Sequence, residues 1–88
     1  MFVRSARTLG MLLREQRRRR GLTQAQLARR AGVSRQWLNG VEKGREGAEL
    51  GLVLRTLASA GIVLKFEERV PPTVDLDAVI EAHRSEVE

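Results

Sequence analysis

The segment Gly21-Leu-Thr-Gln-Ala-Gln-Leu-Ala-Arg-Arg-Ala-Gly32-Val-Ser-Arg-Gln-Trp-Leu-Asn-Gly-Val-Glu-Lys-Gly44 decides how this chain folds. It contains start and stop signals for two short helices. Thr23 suits an N-cap, and Gln26 three residues later completes a capping box, in which each side chain bonds the other residue's backbone N–H. Leu22 before the cap and Leu27 at the fourth helical position form a hydrophobic staple. Gly32 supplies the left-handed residue that ends the first helix. The pattern then repeats: Ser34 caps, Val33 and Leu38 staple, and Gly44 stops the second helix. Only Val33 and Ser34 separate Gly32 from the second helix, so the two helices must cross steeply, which is helix-turn-helix geometry.

Working outward, residues 8–20 are predicted as a preceding helix, with Thr8 as its cap and Leu9, Leu12, Leu13 and Gln16 on one face. The Arg17–Arg20 run has two readings: favourable interaction with the helix C-terminal dipole on a solvated face, or phosphate contact. The central helices are expected at 24–31 and 35–43, with Leu27, Ala28, Ala31, Val33, Leu38 and Val41 inward. A fourth helix is expected at 48–60, with Leu50, Val53, Leu54, Leu57 and Ala60 inward and Gly61 as its C-cap. Residues 1–7 read as an arm, in which Phe2 and Val3 could pair as a short extended piece.

After Gly61 the period changes. Ile62, Leu64 and Phe66 alternate with Val63, Lys65 and Glu67, the pattern of a half-buried strand. A lone strand leaves backbone donors and acceptors without partners. Pairing with the same strand of a second copy, antiparallel about a two-fold axis, solves this and predicts a homodimer. Pro71-Pro72 ends the strand. The acidic remainder has Leu76, Val79, Ile80, His83 and Val87 at helical spacing. It reads as a helix docked on its own dimer, as a segment that folds onto another protein, or as disordered chain. The expected organisation is a helix-turn-helix domain over 1–61, a dimerisation strand over 62–70 and an acidic tail over 71–88.

Charge is divided along the chain. Residues 1–47 carry a balance of +9 and residues 48–88 a balance of −4, so the first half suits a polyanion such as nucleic acid. Cysteine is absent and His83 is the single histidine, which excludes disulfides and multi-histidine metal clusters; no cofactor and no enzymatic activity are expected. No apolar run reaches membrane-spanning length, so no membrane partner is expected. The arginine-rich first twenty residues share composition with a transit peptide, but helix 1 of a DNA-binding domain reads the same way. The expected location is the cytoplasm.

The chemistry of the second central helix suits a major groove. Arg35 can donate two bonds to guanine, and Gln36 can make a bidentate contact with adenine. Asn39 lies one turn further on. Ser34 begins the same exposed edge and is expected at a phosphate. Gln24 opens the preceding helix, where amide and helix N-terminus both favour phosphate, and Thr23 can add its hydroxyl. Lys43 and Arg45 flank the far end and would face the backbone on the other side. Trp37 reads equally as packing or as contact with a thymine methyl or sugar at the groove edge.

Leu13-Arg14-x-x-Arg17, Gly21-Leu22-Thr23-Gln24-x-x-Leu27-Ala28, Gly32-Val33-Ser34 and Leu38-x-x-Val41-Glu42-x-Gly44 together resemble the lambda/434-repressor type of helix-turn-helix, the XRE family. The resemblance runs from about Leu9 to Leu57 and implies a mainly α, lambda-repressor-like fold. It implies phosphate binding at Gln24, base-facing positions at Arg35, Gln36 and Gly40, and a structural ion pair between Arg17 and Glu42. Gly40 departs from the pattern, having no side chain to read with and weakening its helix by about 1 kcal/mol relative to alanine.

Over nearly the full length, Ala48-Glu49-Leu50-Gly51-Leu52-Val53-Leu54-Arg55 followed by Ile62–Glu67 is similar to the HipB antitoxin family. That resemblance implies a dimer closed by a small intersubunit antiparallel sheet, operator binding on the bacterial nucleoid, repression of its own operon, and a HipA-like kinase toxin as partner. A stand-alone XRE-type regulator and a protein-interaction module without DNA are the alternatives.

Overall fold

A computed structural model of the chain describes residues 2–68 and 80–81. Four helices follow in order: α1 (Ala6–Arg19), α2 (Gln24–Ala31), α3 (Arg35–Glu42) and α4 (Leu50–Ser59). α1 packs on α3, and α2 packs on both α3 and α4. Leu13, Leu27, Leu38 and Leu57 are fully buried at the centre, joined by Ala28, Val41, Val53 and Ala60.

The central segment forms as its caps dictate. Thr23 Oγ1 accepts from the Gln26 N–H at 3.1 Å, and Gln26 Oε1 accepts from the Thr23 N–H at 2.8 Å, closing the capping box. Ser34 Oγ accepts from the Trp37 N–H at 3.0 Å. Gly32 is left-handed, with φ 70°. There the Val33 N–H donates to the Ala28 carbonyl and the Gly32 N–H to the Arg29 carbonyl, the paired bonds of a Schellman motif. The same two bonds recur around Gly21, Gly44 and Gly61, so each helix stops by one device. Leu22 and Val33, each following such a glycine, pack against the core.

α1 starts earlier than its sequence suggests. Its cap is Ser5, whose Oγ accepts from the Thr8 N–H at 3.2 Å; Thr8 stands inside the first turn. Both residues are cap formers three positions apart, and the helix extends to the first of them.

α4 is rolled relative to expectation. Val53, Thr56, Leu57 and Ala60 face inward, whereas Leu50 is 68% and Leu54 44% exposed. At about 100° per residue, Leu50 and Leu54 form the stripe beside the buried one. Thr56 is buried because its hydroxyl donates to the Leu52 carbonyl at 2.7 Å, which satisfies the polar group within the helix.

No strand is present among the described residues. Ile62 belongs to the end of α4: its N–H donates to the Leu57 carbonyl at 2.9 Å, and its side chain packs against the core. Beyond it Val63, Leu64 and Phe66 are exposed, Phe66 at 98%. Among the described residues of one protomer these side chains are not covered, so the half-buried face expected from the alternation does not form there. Of the acidic tail expected over 71–88, only the exposed Ile80 and Glu81, both helical, are described; the rest lies outside the described residues.

Candidate nucleic-acid interface

The end of α1, the start of α2 and the length of α3 enclose an open cleft of about 470 Å³. Its wall on α1 carries Arg14, Arg17 and Arg18. Its α2 side carries Thr23, Gln24 and Ala25, and its α3 side Arg35, Asn39, Glu42 and Lys43. The first turn of α2 therefore opens into the cleft, where its uncompensated N–H groups favour an anion.

The floor is held by a buried ion pair. Arg17 Nε donates to Glu42 Oε2 at 2.8 Å and Arg17 Nη2 to Glu42 Oε1 at 3.0 Å, a two-pronged contact. The side chains are 9% and 2% exposed. Arg17 Nη1 donates in addition to the Leu22 carbonyl at 2.8 Å, so one guanidinium joins α1, the turn after it and α3. Satisfaction is complete: no buried side-chain polar atom among the described residues lacks a partner. Arg17 is thereby taken out of the run Arg17–Arg20 as a surface cation.

The same network sets two amides. Gln24 Nε2 donates to Asn39 Oδ1 at 3.1 Å and lies 3.3 Å from Glu42 Oε1. Gln24 and Asn39 are half-buried and held against one another. With Asn39 Oδ1 and Gln24 Nε2 engaged, Asn39 keeps its Nδ2 donor and Gln24 its Oε1 acceptor for other partners. This tie between helices could not be read from the separate motifs.

The expected contact residues fall into two groups. Thr23, Gln24, Arg35, Asn39 and Lys43 line the cleft together. Gln36 and Ser34 lie outside it and are exposed on the outer side of α3 and at its cap. Thr23 and Ser34 use their oxygens as acceptors in the caps, which leaves each hydroxyl proton free to donate. Arg45 is not in the cleft. Its chain runs alongside Gly40, whose absent β-carbon would meet Arg45 Cδ at 3.5 Å, and it borders a smaller groove with Ala6, Leu9 and Val41. Trp37 is half-buried and packs against the core.

Arg18 lines the α1 wall, as the phosphate reading of the Arg17–Arg20 run allows, and so does Arg14, to which the sequence assigned no contact role. The available signal was spacing: Arg14 lies three residues before Arg17 and four before Arg18, so it shares a helix face with each of them.

A family model for a helix-turn-helix domain matches residues 8–61. The chain belongs to the helix-turn-helix domain family. This helix-turn-helix protein is 46% identical over 50 residues to an uncharacterised HTH-type transcriptional regulator of Methanothermobacter thermautotrophicus, a match covering 57% of this chain and 72% of that protein. It also resembles the restriction-modification controller protein C.AhdI of Aeromonas hydrophila, at 33% identity and a TM-score of 0.61 over 66% of this chain and 88% of that one. A chain of a HipA-HipB-O2-O3 complex shares the fold at a TM-score of 0.72 and 19% identity, over 77% of this chain and 96% of that one. The helix-turn-helix protein is thus a transcription regulator of the XRE-like type and not an enzyme. No helix among its described residues is long and apolar enough to cross a membrane.

Proposed function

We propose that this protein is a dimeric, sequence-specific repressor that binds double-stranded operator DNA with α3 in the major groove. The observation that carries this reading is the cationic cleft into which the start of α2 opens, with Arg35 on its α3 wall and Gln36 exposed beside it. Arg35 and Gln36 read base edges, and Asn39 adds a donor whose direction Gln24 sets. Thr23, Gln24, Ser34, Lys43 and Arg45 contact phosphates and fix the register of the domain on the duplex. Binding of a duplex from the gene's own upstream region, compared with a scrambled duplex of equal length, tests the reading. Arg35→Ala should lose about 1–3 kcal/mol on the operator and relax preference at one base pair. Equal affinity of the parent protein for both duplexes would refute sequence-specific reading.

In the proposed organisation, residues 1–61 bind DNA, 62–70 pair between copies and 71–88 form an acidic tail. The exposed backbone and side chains after Ile62 support pairing, with Leu64 and Phe66 on the shared face. A two-fold dimer places two copies of α3 on an inverted repeat with half-sites about one helical turn apart or a multiple of it.

A HipA-like kinase toxin is the proposed protein partner, with autoregulation of the shared operon. This part is supported by fold likeness to the chain in the HipA-HipB-O2-O3 complex. Co-expression with a HipA-like kinase encoded beside this gene should yield a co-purifying complex. Absence of that complex would leave a stand-alone regulator with the same DNA reading.

A further inference from the structure

We infer that Arg14 and Arg18 of α1 form a phosphate track that extends the DNA footprint beyond the helix-turn-helix itself. The inference rests on the DNA reading proposed above and assigns the α1 wall of that same cleft. Arg14 and Arg18 lie four residues apart, so they project from one helix face about 6 Å apart along the axis. Both are exposed and line the cleft. Neither side chain joins an ion pair or hydrogen bond among the described residues, whereas that of Arg17 beside them is consumed by Glu42 and the Leu22 carbonyl.

A purely structural role does not account for the pair. Arg18 stands in the last turn of α1, where the helix dipole favours a cation. Arg14 stands more than a turn earlier, outside that zone, and two like charges at this spacing disfavour the helix. An anion in the cleft removes that repulsion. The first turn of α2, Arg35 and Lys43 face the same space, so the anion must be extended enough to touch all three helices. A sugar–phosphate strand has that shape and charge. Gln24 and the start of α2 would hold one phosphate, and Arg14 and Arg18 would take the phosphates next along the strand.

The test uses the full chain, the upstream duplex and a scrambled duplex, with binding measured across a salt series. Arg14→Gln and Arg18→Gln should each reduce the steepness of log K against log salt by about 0.9, so the ratio of parent to variant affinity falls about eightfold per tenfold rise in salt. The loss should be equal on both duplexes, because phosphates carry no sequence. Arg14→Lys should retain most of the slope. Arg30→Gln, on the opposite end of α2 and outside the cleft, controls for net charge and should leave the slope unchanged. Unchanged slopes in the Arg14 and Arg18 variants, with salt-dependent binding by the parent, would overturn the phosphate track alone. A loss of slope in Arg30→Gln equal to theirs would also overturn it, as a general charge effect. Failure of the parent to bind either duplex would sink the DNA reading together with the track. Thermal melts of the variants should equal or slightly exceed the parent's, since both side chains are exposed and removing one relieves their repulsion; a lowered melt would assign them a folding role instead.

Discussion

Gly10 of α1 lies directly against Val41 of α3. A β-carbon built on Gly10 would run into the Val41 carbonyl oxygen and come within 2.9 Å of the Glu42 carbonyl oxygen. These neighbours are backbone and cannot swing aside. The absence of a side chain at Gly10 therefore sets how closely α1 approaches the end of α3, and with it how Arg17 reaches Glu42.

Gly10→Ala should destabilise the domain by about 1–3 kcal/mol, although alanine is the better helix former. Gly51→Ala provides the contrast, because nothing lies within 4 Å of its missing β-carbon. That change should stabilise α4 by up to about 1 kcal/mol. Chemical denaturation of the two variants checks the signs. Equal gains in both would show that the α1–α3 crossing tolerates a methyl group.

Arg17 and Glu42 should behave as a unit. Glu42→Ala leaves a buried guanidinium without its carboxylate, and a loss of about 3–5 kcal/mol is expected. Replacing both residues by apolar side chains of similar size, Arg17→Met with Glu42→Leu, should recover most of the loss, because no buried charge remains. Denaturant titrations of the single and double variants measure the recovery. A double variant as unstable as the sum of the singles would show that the pair does more than neutralise itself, for example through the bond from Arg17 to the Leu22 carbonyl.

Much of this architecture was legible because it is local. Thr23, Gln26, Gly32 and Ser34 act within a few residues of themselves, and their caps formed as the sequence indicated. What depended on packing was less legible. Leu50 and Leu54 are as apolar as Val53 and Leu57, so periodicity alone could not select between adjacent stripes of α4. Thr56 hid its polarity in a bond to its own helix. Gly10 carried no signal of its own in the sequence, because its value lies in a neighbour 31 residues away. The cleft followed the same division. Its polar α2 and α3 residues could be named from the motif and Arg18 from the Arg17–Arg20 run, whereas Arg14 gained a place only once α1 was set across α3.

Gln24 and Asn39 should be coupled in DNA binding. Their amides are bonded at 3.1 Å, so removing Gln24 frees Asn39, and removing Asn39 leaves Gln24 held by Glu42 alone. Gln24→Ala and Asn39→Ala should each weaken operator binding, and the double variant should lose less than the sum of the two. A coupling energy of about 0.5–3 kcal/mol is expected for groups in one hydrogen-bond network. Affinities of the four proteins for one duplex supply the cycle. Strict additivity would mean that the two side chains act on DNA separately and that their bond has no consequence for recognition.

Phe66 and Leu64 carry the dimer prediction. Phe66 is 98% exposed in the protomer and follows Leu64 at the two-residue spacing of one strand face. Burying both against a second copy removes apolar surface from water and pairs the exposed backbone between Val63 and Glu67. Leu64→Asp or Phe66→Asp should therefore halve the mass seen by light scattering while leaving the helical circular dichroism intact, since neither side chain belongs to the core. Operator affinity should fall with the dimer by roughly 10²-fold or more, because each monomer then binds its half-site without the other. A variant of unchanged mass would place the dimer contact elsewhere, and the exposed stripe of Leu50 and Leu54 on α4 would be the next surface to test.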